Sequence, residues 1–496
     1  MGPAPIFITA LTAKVIVEST TNMSQPTTFL RFASPNERRT ISREDVGYYN
    51  ALIIAAVYEI AGEDVDVTST QSFISPLKYC IQEHPFLSVI VKDKHTENPA
   101  FEGASSMNLE DHILIVHDET SDEITAFQNI LPPILDRPWT ADVPPWRIVV
   151  LPLASHDSKV KRCFIVFSFS HTLGDGMVGL TFHRTFLNAW QKNTIADEKE
   201  SFLVTPPAQV LTAPFDTPEK LPISWKFLLA PLLAVYLPDF LNNLFGLRPA
   251  VSPVDDGTWT GAPIFVNPNT TTRLRILEIE APLVKNALQA ARSHDAKLTA
   301  TMHLLIARAL SQAFTDPKIT NFVSGTAVDM RSSVGIPAYT WGLYVNGHYE
   351  AHSRIHEIGP EFSDEMWASA SSITKRLAEC HVRLHDQAIG LLRYVPSIRK
   401  WIQGKVGHAR DCSFEFSNLL AFDGGRNPDC NISKMVFSRP ANPISAPMDF
   451  NVISCKGSSL ICTISWQAGA WGVPVEEERV LVDGICSSLR QGFEAF

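Results

Sequence analysis

The chain has 496 residues, 45% of them hydrophobic and 19% charged, with a mean hydropathy near zero. That is the composition of a well-buried globular protein of two or three domains, and it excludes a disordered chain. The 42 basic and 52 acidic residues leave a net charge of −10 with no basic tail, which argues against a nucleic-acid partner. Eight cysteines, at 80, 163, 380, 412, 430, 455, 462 and 486, form no Cys-x-x-Cys pair and have no histidine at zinc spacing. Reduced thiols in a cytoplasmic setting are therefore expected, with neither a disulfide framework nor a metal site.

Residues 1–7 lack a basic segment and a long apolar core, so no signal peptide is expected. The glycosylation triplets beginning at Asn22, Asn269 and Asn431 are accordingly read as chance matches. Val46, Tyr49, Ile53, Val57 and Ile60 recur at helical spacing and predict an amphipathic helix over 45–60. A second helix is expected over 73–83, ended by His84-Pro85, and a strand over 86–91. The β-rich runs 146–153 and 161–169 read as a hairpin around the polar separator 154–159. A helix over 178–190 follows, with Phe182, Phe186, Leu187 and Trp190 on one face.

From 194 to 268 prolines are frequent and the texture is that of a long crossover between two lobes. Its most apolar stretch, 226–237, is too short and too proline-interrupted to span a bilayer, for which about 20 residues are needed. It reads as a helix packed on the body or lining an apolar channel, and contact with a membrane surface through 226–237 is the alternative. Strands are then expected over 273–279 and 322–328, a helix over 297–314, strands over 450–454 and 460–466, and a closing helix over 473–489. The whole is a mixed α/β chain, divided as an N-terminal lobe over 1–193, a crossover over 194–268 and a C-terminal lobe over 269–496.

The most informative segment is His171-Thr172-Leu173-Gly174-Asp175-Gly176, set between the strand ending at Phe169 and the helix over 178–190. Strand ends that open onto a cleft are where scaffolds place reactive groups, and imidazole can transfer protons near neutrality. Gly174 to Gly179 also satisfies G-x-G-x-x-G, with Asp197 or Glu198 about 20 residues on. A dinucleotide loop is nevertheless rejected, because Asp175 would set a carboxylate against the pyrophosphate. A histidine satisfying a core hydrogen bond, with Asp175 capping the next helix, is the plainer alternative. The functional reading is general-base catalysis of acyl transfer, with His171 removing the proton of an attacking hydroxyl, a contribution of roughly 10²–10⁴ in rate. No G-x-S-x-G elbow is present, which leaves a serine hydrolase unsupported.

His171-x-x-x-Asp175-Gly176 after an apolar strand resembles the signature of the CoA-dependent acyltransferases of the chloramphenicol acetyltransferase-like superfamily. The stretches 36–39, 47–50, 84–87, 144–147, 329–331, 413–418 and 465–467 resemble its fungal alcohol acetyltransferase branch, in order and across nearly the whole chain. The resemblance implies two similar α/β lobes, each a mixed sheet flanked by helices, with an active-site channel between them. It implies His171 as the base and Asp175, with Gly176, as a structural element of the turn. Arg331 is the matching partner for Asp175, with Arg39 in reserve. Ser417 and Asn418 become candidate donors to the developing oxyanion. Acyl-CoA is implied as cosubstrate, without a tightly bound cofactor or metal, and a small-molecule alcohol as acceptor.

The basic run 393–410 contains no acid, and Arg399, Lys400, Lys405 and Arg410 are the candidates for the phosphates of coenzyme A, with a solvated helix face as the alternative. The C-terminal motif of plant relatives is absent. Ser170 stands where peptide-synthetase condensation domains carry a second histidine. The expected activity is thus O-acyl transfer, most simply of acetyl, to a lipophilic alcohol by a cytoplasmic monomer. The rivals are an amide-forming or carrier-protein-dependent condensing or cyclising enzyme on the same fold, and a catalytically silent small-molecule binding protein.

Overall fold

Two mixed β-sheets, of five and six strands, organise the chain. The computed structural model describes residues 27–496 apart from 63–64, 156, 158, 193–199, 209, 239–240, 242–250, 268–270, 357–358 and 424–428. Asn22, Asn269, Asp197 and Glu198 therefore lie outside the described residues. In the N-terminal half the strands are β1 (Thr27–Phe32), β2 (Leu52–Ala61), β3 (Val89–Lys92), β4 (Ala100–Ala104), β5 (Met107–Asn108), β6 (Ile113–Ile115), β7 (Trp146–Leu153) and β8 (Val160–Phe169). After them come β9 (Leu203–Val204), β10 (Thr272–Ile279), β11 (Asn321–Asp329), β12 (Val345–Ser353), β13 (Phe414–Phe422), β14 (Cys430–Ser438), β15 (Met448–Cys455) and β16 (Leu460–Gln467).

The first sheet runs β14-β2-β8-β7-β6 and the second β10-β16-β15-β13-β11-β12, with smaller sheets β1-β4-β3 and β5-β9 at the periphery. The hairpin read from the sequence is present: β7 and β8 pair antiparallel from Trp146 opposite Phe169 to Leu153 opposite Arg162. The principal helices are α1 (Pro35–Asp45), α2 (Ile74–Glu83), α3 (Glu123–Asp136), α4 (Gly176–Lys192), α5 (Trp225–Tyr236), α6 (Ala281–Ser293), α7 (Leu298–Ala313), α8 (Asp364–Val382), α9 (Ile398–Gly404) and α10 (Glu478–Glu494).

The helix expected over 45–60 is not there. Helix α1 ends at Asp45 and the apolar run beyond it is β2, between β14 and β8. Ile53, Ala55 and Val57 enter one hydrophobic cluster with Phe127 and Leu131 of α3, while Ile54, Ala56 and Tyr58 enter another with Leu77 and Phe182. A strand covered on both faces is apolar at every position, so helical spacing can be picked out of it by accident. The start of α1 is fixed by a capping box in which Ser34 and Glu37 bond each other's backbone, with Pro35 in the first turn. The strand expected over 86–91 is shorter, since a 3-10 turn occupies Pro85–Ser88 and β3 begins at Val89.

The division at 193 and 269 is crossed by β14, which comes from the C-terminal third yet pairs with β2 in the first sheet. The two halves are thereby stitched by backbone hydrogen bonds. In the crossover, Phe215 and Leu221 are buried in a cluster with Tyr344. Helix α5 presents Trp225, Leu229 and Leu233 outward at 77%, 42% and 48% exposure. Packing on the body, expected for 226–237, is thus incomplete along that stripe. Among the described residues no helix is long and apolar enough to cross a membrane.

Candidate active site

Strand β8 stops at Phe169 and α4 starts at Gly176, leaving a short turn to carry the signature. Gly174 is needed there: a Cβ would stand 2.4 Å from Val178 Cγ2 and 3.0 Å from the Gly342 carbonyl oxygen. Gly176 approaches β13, and a Cβ on it would lie 2.8 Å from Leu419 Cδ2. The turn is therefore wedged between segments of the C-terminal half. The Trp341 indole also donates to the Leu173 carbonyl at 2.9 Å.

Asp175 is 4% exposed and fully engaged. It accepts two bonds from the Arg331 guanidinium, at 3.0 and 2.9 Å, one from the Tyr344 amide at 2.8 Å and one from the Met177 amide at 3.1 Å. Arg331, 1% exposed, also donates to Asp329 at 2.8 Å and to the carbonyls of Thr340 and Gly342, both at 3.0 Å. Such a bidentate buried pair is satisfied only in one arrangement, so it fixes the turn against the 340–344 segment. Arg39 does not reach Asp175; its bonds go to Asn36 Oδ1 at 3.2 and 3.0 Å.

The His171 Nδ1 lies 2.8 Å from the Gly174 carbonyl oxygen. A carbonyl can only accept, so Nδ1 carries the proton and Nε2 keeps its lone pair. Burial, then Arg43 and Arg39, pushes the imidazole well below its ordinary value of 6.5, and the bond to Gly174 opposes this only in part. His171 is consequently neutral at neutral pH with one nitrogen ready to accept a proton. Its ring faces Tyr49, centroid to centroid 5.6 Å, and Tyr49 carries Arg43 4.6 Å from its own ring centre.

Behind Tyr49 lies a buried ionic group absent from the sequence reading. Arg439 donates to Glu415 at 2.6 Å, to Asp449 at 3.1 Å and to Asn451 at 2.6 Å. Arg43 was also missed. Its spacing of four from Arg39, on a helix opened by Ser34-Pro35-Asn36-Glu37, was the available signal.

Ser417 and Asn418 sit on β13 beside β15, opposite Asn451 and Val452, where the register slips before Ala421. Asn418 donates to the Thr299 hydroxyl at 3.1 Å and accepts from the Leu420 amide at 2.7 Å, with Leu420 at φ 63°. Its side chain thus supports the local irregularity of β13 that brings Leu419 against Gly176. Ser417 is buried at 5% exposure.

Three of the four residues expected to hold coenzyme A phosphates are committed elsewhere. Arg399 pairs with Asp45 and Lys405 with Asp411. Arg410, 2% exposed, donates to the carbonyls of Ala262, Pro443 and Ser445. The run contains no acid, but Asp45 of α1 is packed against it and Asp411 follows it directly. Lys400 alone of the four is exposed and forms no ion pair among the described residues.

A histidine with a free nitrogen, on a turn locked by a buried Asp–Arg pair at the junction of two sheets, is the arrangement that the resemblance to the two-lobed acyltransferases of the chloramphenicol acetyltransferase type implies. The family of alcohol acetyltransferases matches over residues 106–489, and the chain belongs to it. A probable alcohol acetyltransferase of Aspergillus fumigatus, crmB, is 22% identical over 369 residues, covering 71% of each chain. A second probable alcohol acetyltransferase, FCK4 of Fusarium pseudograminearum, is 22% identical over 432 residues, covering 82% of each. Among solved structures, the trichothecene 15-O-acetyltransferase TRI3 of Fusarium sporotrichioides superposes with a TM-score of 0.63 at 12% identity, over 95% of this chain and all of that one. The protein is an O-acetyltransferase that takes acyl-CoA and an alcohol as substrates.

Proposed function

We propose that the protein transfers acetyl from acetyl-CoA to a hydroxyl of a largely lipophilic small molecule, with His171 as general base in a ternary complex. The observation that carries this reading is the Nδ1 bond to Gly174, which leaves Nε2 unprotonated. The hydroxyl proton passes to Nε2 as the oxygen attacks the thioester carbonyl. Collapse of the tetrahedral intermediate breaks the carbon–sulfur bond, and the imidazolium returns the proton to the departing CoA thiolate. Asp175 and Arg331 position the turn and do not touch substrate. Ser417 stays a candidate donor to the oxyanion, while the engagement of Asn418 with Thr299 and Leu420 favours a structural part for it.

Lys400 is the surviving candidate of its run for a CoA phosphate. The exposed stripe of α5 supports a place for 226–237 beside apolar ligands or a membrane surface. The buried cysteines agree with a reducing, cytoplasmic setting, and the chain is taken as a monomer with lobes divided at 193 and 269. The absence of a histidine at Ser170, whose hydroxyl bonds Glu44 instead, favours CoA over a carrier protein as donor. The test is incubation with acetyl-CoA and alcohol mixtures, following free CoA thiol and products one acetyl heavier. Transfer that requires a carrier protein, or that survives His171→Ala undiminished, overturns the reading.

A further inference from the structure

Arg39 and Arg43 stand four residues apart on α1, and neither forms an ion pair among the described residues. Arg43 is 7% exposed, and its Nε has no hydrogen-bond partner. The Tyr49 hydroxyl, on a residue 3% exposed, has none either. The acids whose charge acts on Arg43, Glu415 and Asp449, are already held by Arg439. Burial and the neighbouring Arg43 together push Arg39 down to about 9. Two like charges, Arg43 buried and Arg39 half-buried, beside two orphaned donors are costly unless a further negative group meets them.

The place is next to the reacting atoms. The Tyr49 ring bridges Arg43, 4.6 Å from its centre, and the His171 ring, 5.6 Å away. We propose that Arg43, with Arg39 and the Tyr49 hydroxyl, forms an anion subsite beside His171, and that the acceptor alcohol carries a carboxylate. This rests on the acetyl-transfer reading for the identity of the ligand as an acceptor. The phosphates of coenzyme A lie a full pantetheine arm from its sulfur, whereas Arg43 is one ring away from the base. An anion at this point therefore belongs to the acceptor side. A hydroxy acid seated here pairs its carboxylate with the guanidinium and is left with its hydroxyl free to approach Nε2. Its charge also offsets the arginines that depress the imidazole, making His171 a stronger base once the acceptor is in place.

The experiment titrates the purified full-length chain calorimetrically with hexanoate and with hexanamide, which have nearly the same shape and differ in charge. Hexanoate is expected to bind about tenfold more tightly, as for a hydrogen-bonded charge pair. Arg43→Gln should abolish that preference and Arg43→Lys should retain part of it. Equal binding of the two probes to the unaltered protein overturns the subsite, and so does an unchanged preference in a folded Arg43→Gln. Competitive displacement of hexanoate by CoA assigns the arginines to the donor and overturns the acceptor claim. With acetyl-CoA, 6-hydroxyhexanoate should show about tenfold higher kcat/KM than its methyl ester. Carboxylate binding in a protein that acetylates no alcohol upholds the subsite and overturns the acetyltransferase reading, so the two failures are distinct.

Discussion

Replacing Arg331 by alanine removes both bonds to Asp175 and leaves that carboxylate buried at 4% exposure, with only the Tyr344 and Met177 amides for company. Breaking a buried pair from one side costs about 3–5 kcal/mol, because the remaining charge is uncompensated. If all 496 residues unfold together, the unfolding entropy is about 1 kcal/mol per degree, so Tm should fall by about 4 °C, and by about twice that if one lobe melts alone. The bonds to Thr340, Gly342 and Asp329 disappear as well, freeing the 340–344 segment from the turn. Since His171 is held by that turn, a displacement of about 1 Å should lower kcat roughly 100-fold with little change in KM. Differential scanning calorimetry and CoA-release kinetics measure both. Asp175→Asn combined with Arg331→Ala should be less destabilising than the sum of the single changes, because the orphaned charge is gone. An Arg331→Ala protein with unchanged Tm and unchanged kcat would refute the reasoning.

Four further outcomes are expected. His171→Ala should reduce kcat by roughly 10²–10⁴ while leaving the fold intact, measured by thiol release and circular dichroism. Burial and arginines hold the His171 imidazole well below 6.5, so its basic form persists as pH falls; kcat/KM should stay level through pH 6.5 and decline only well below it. A decline centred at 6.5 or above contradicts that assignment, and Arg43→Gln should move it toward neutrality. Three other buried histidines, His112, His183 and His352, are each pushed down to about 4 by desolvation, against an ordinary 6.5. The folded state thus binds fewer protons than the unfolded chain, and the urea midpoint should fall as pH drops from about 6.5 toward 4. Gly179→Ala would set a Cβ 2.0 Å from Ile54 Cγ1, forcing α4 off β2 at a cost of about 1–3 kcal/mol, read as a lower urea midpoint.

The turn at 171–176 was legible because its neighbours were. The strand before it and the helix after it follow from β-branched and 3.6-residue patterns, and the glycines mark where side chains cannot fit. Local pattern failed where environment decides. The run from Leu52 to Tyr58 is buried on both faces, which erases the alternation that would have announced a strand. The charges failed for the same reason: Arg399, Lys405 and Arg410 look like one basic patch along the chain, yet Arg399 and Arg410 meet partners brought by other segments and Lys405 turns to Asp411 just past the run.

By itself, then, the sequence determined the alternation of α and β, the hairpin β7–β8, the candidate base and, through its resemblance, the pairing of Asp175 with Arg331. The tertiary structure alone decided which nitrogen of His171 is free, which arginines are spent on carbonyls and carboxylates, and which are left facing the base. The physical reason is range. Strand, helix and turn preferences act between residues a few positions apart, whereas the bond from Arg331 to Asp175 spans 156 positions and the charge on Arg43 acts on a histidine from a different element. A charge has no fixed meaning until its neighbours in space are known.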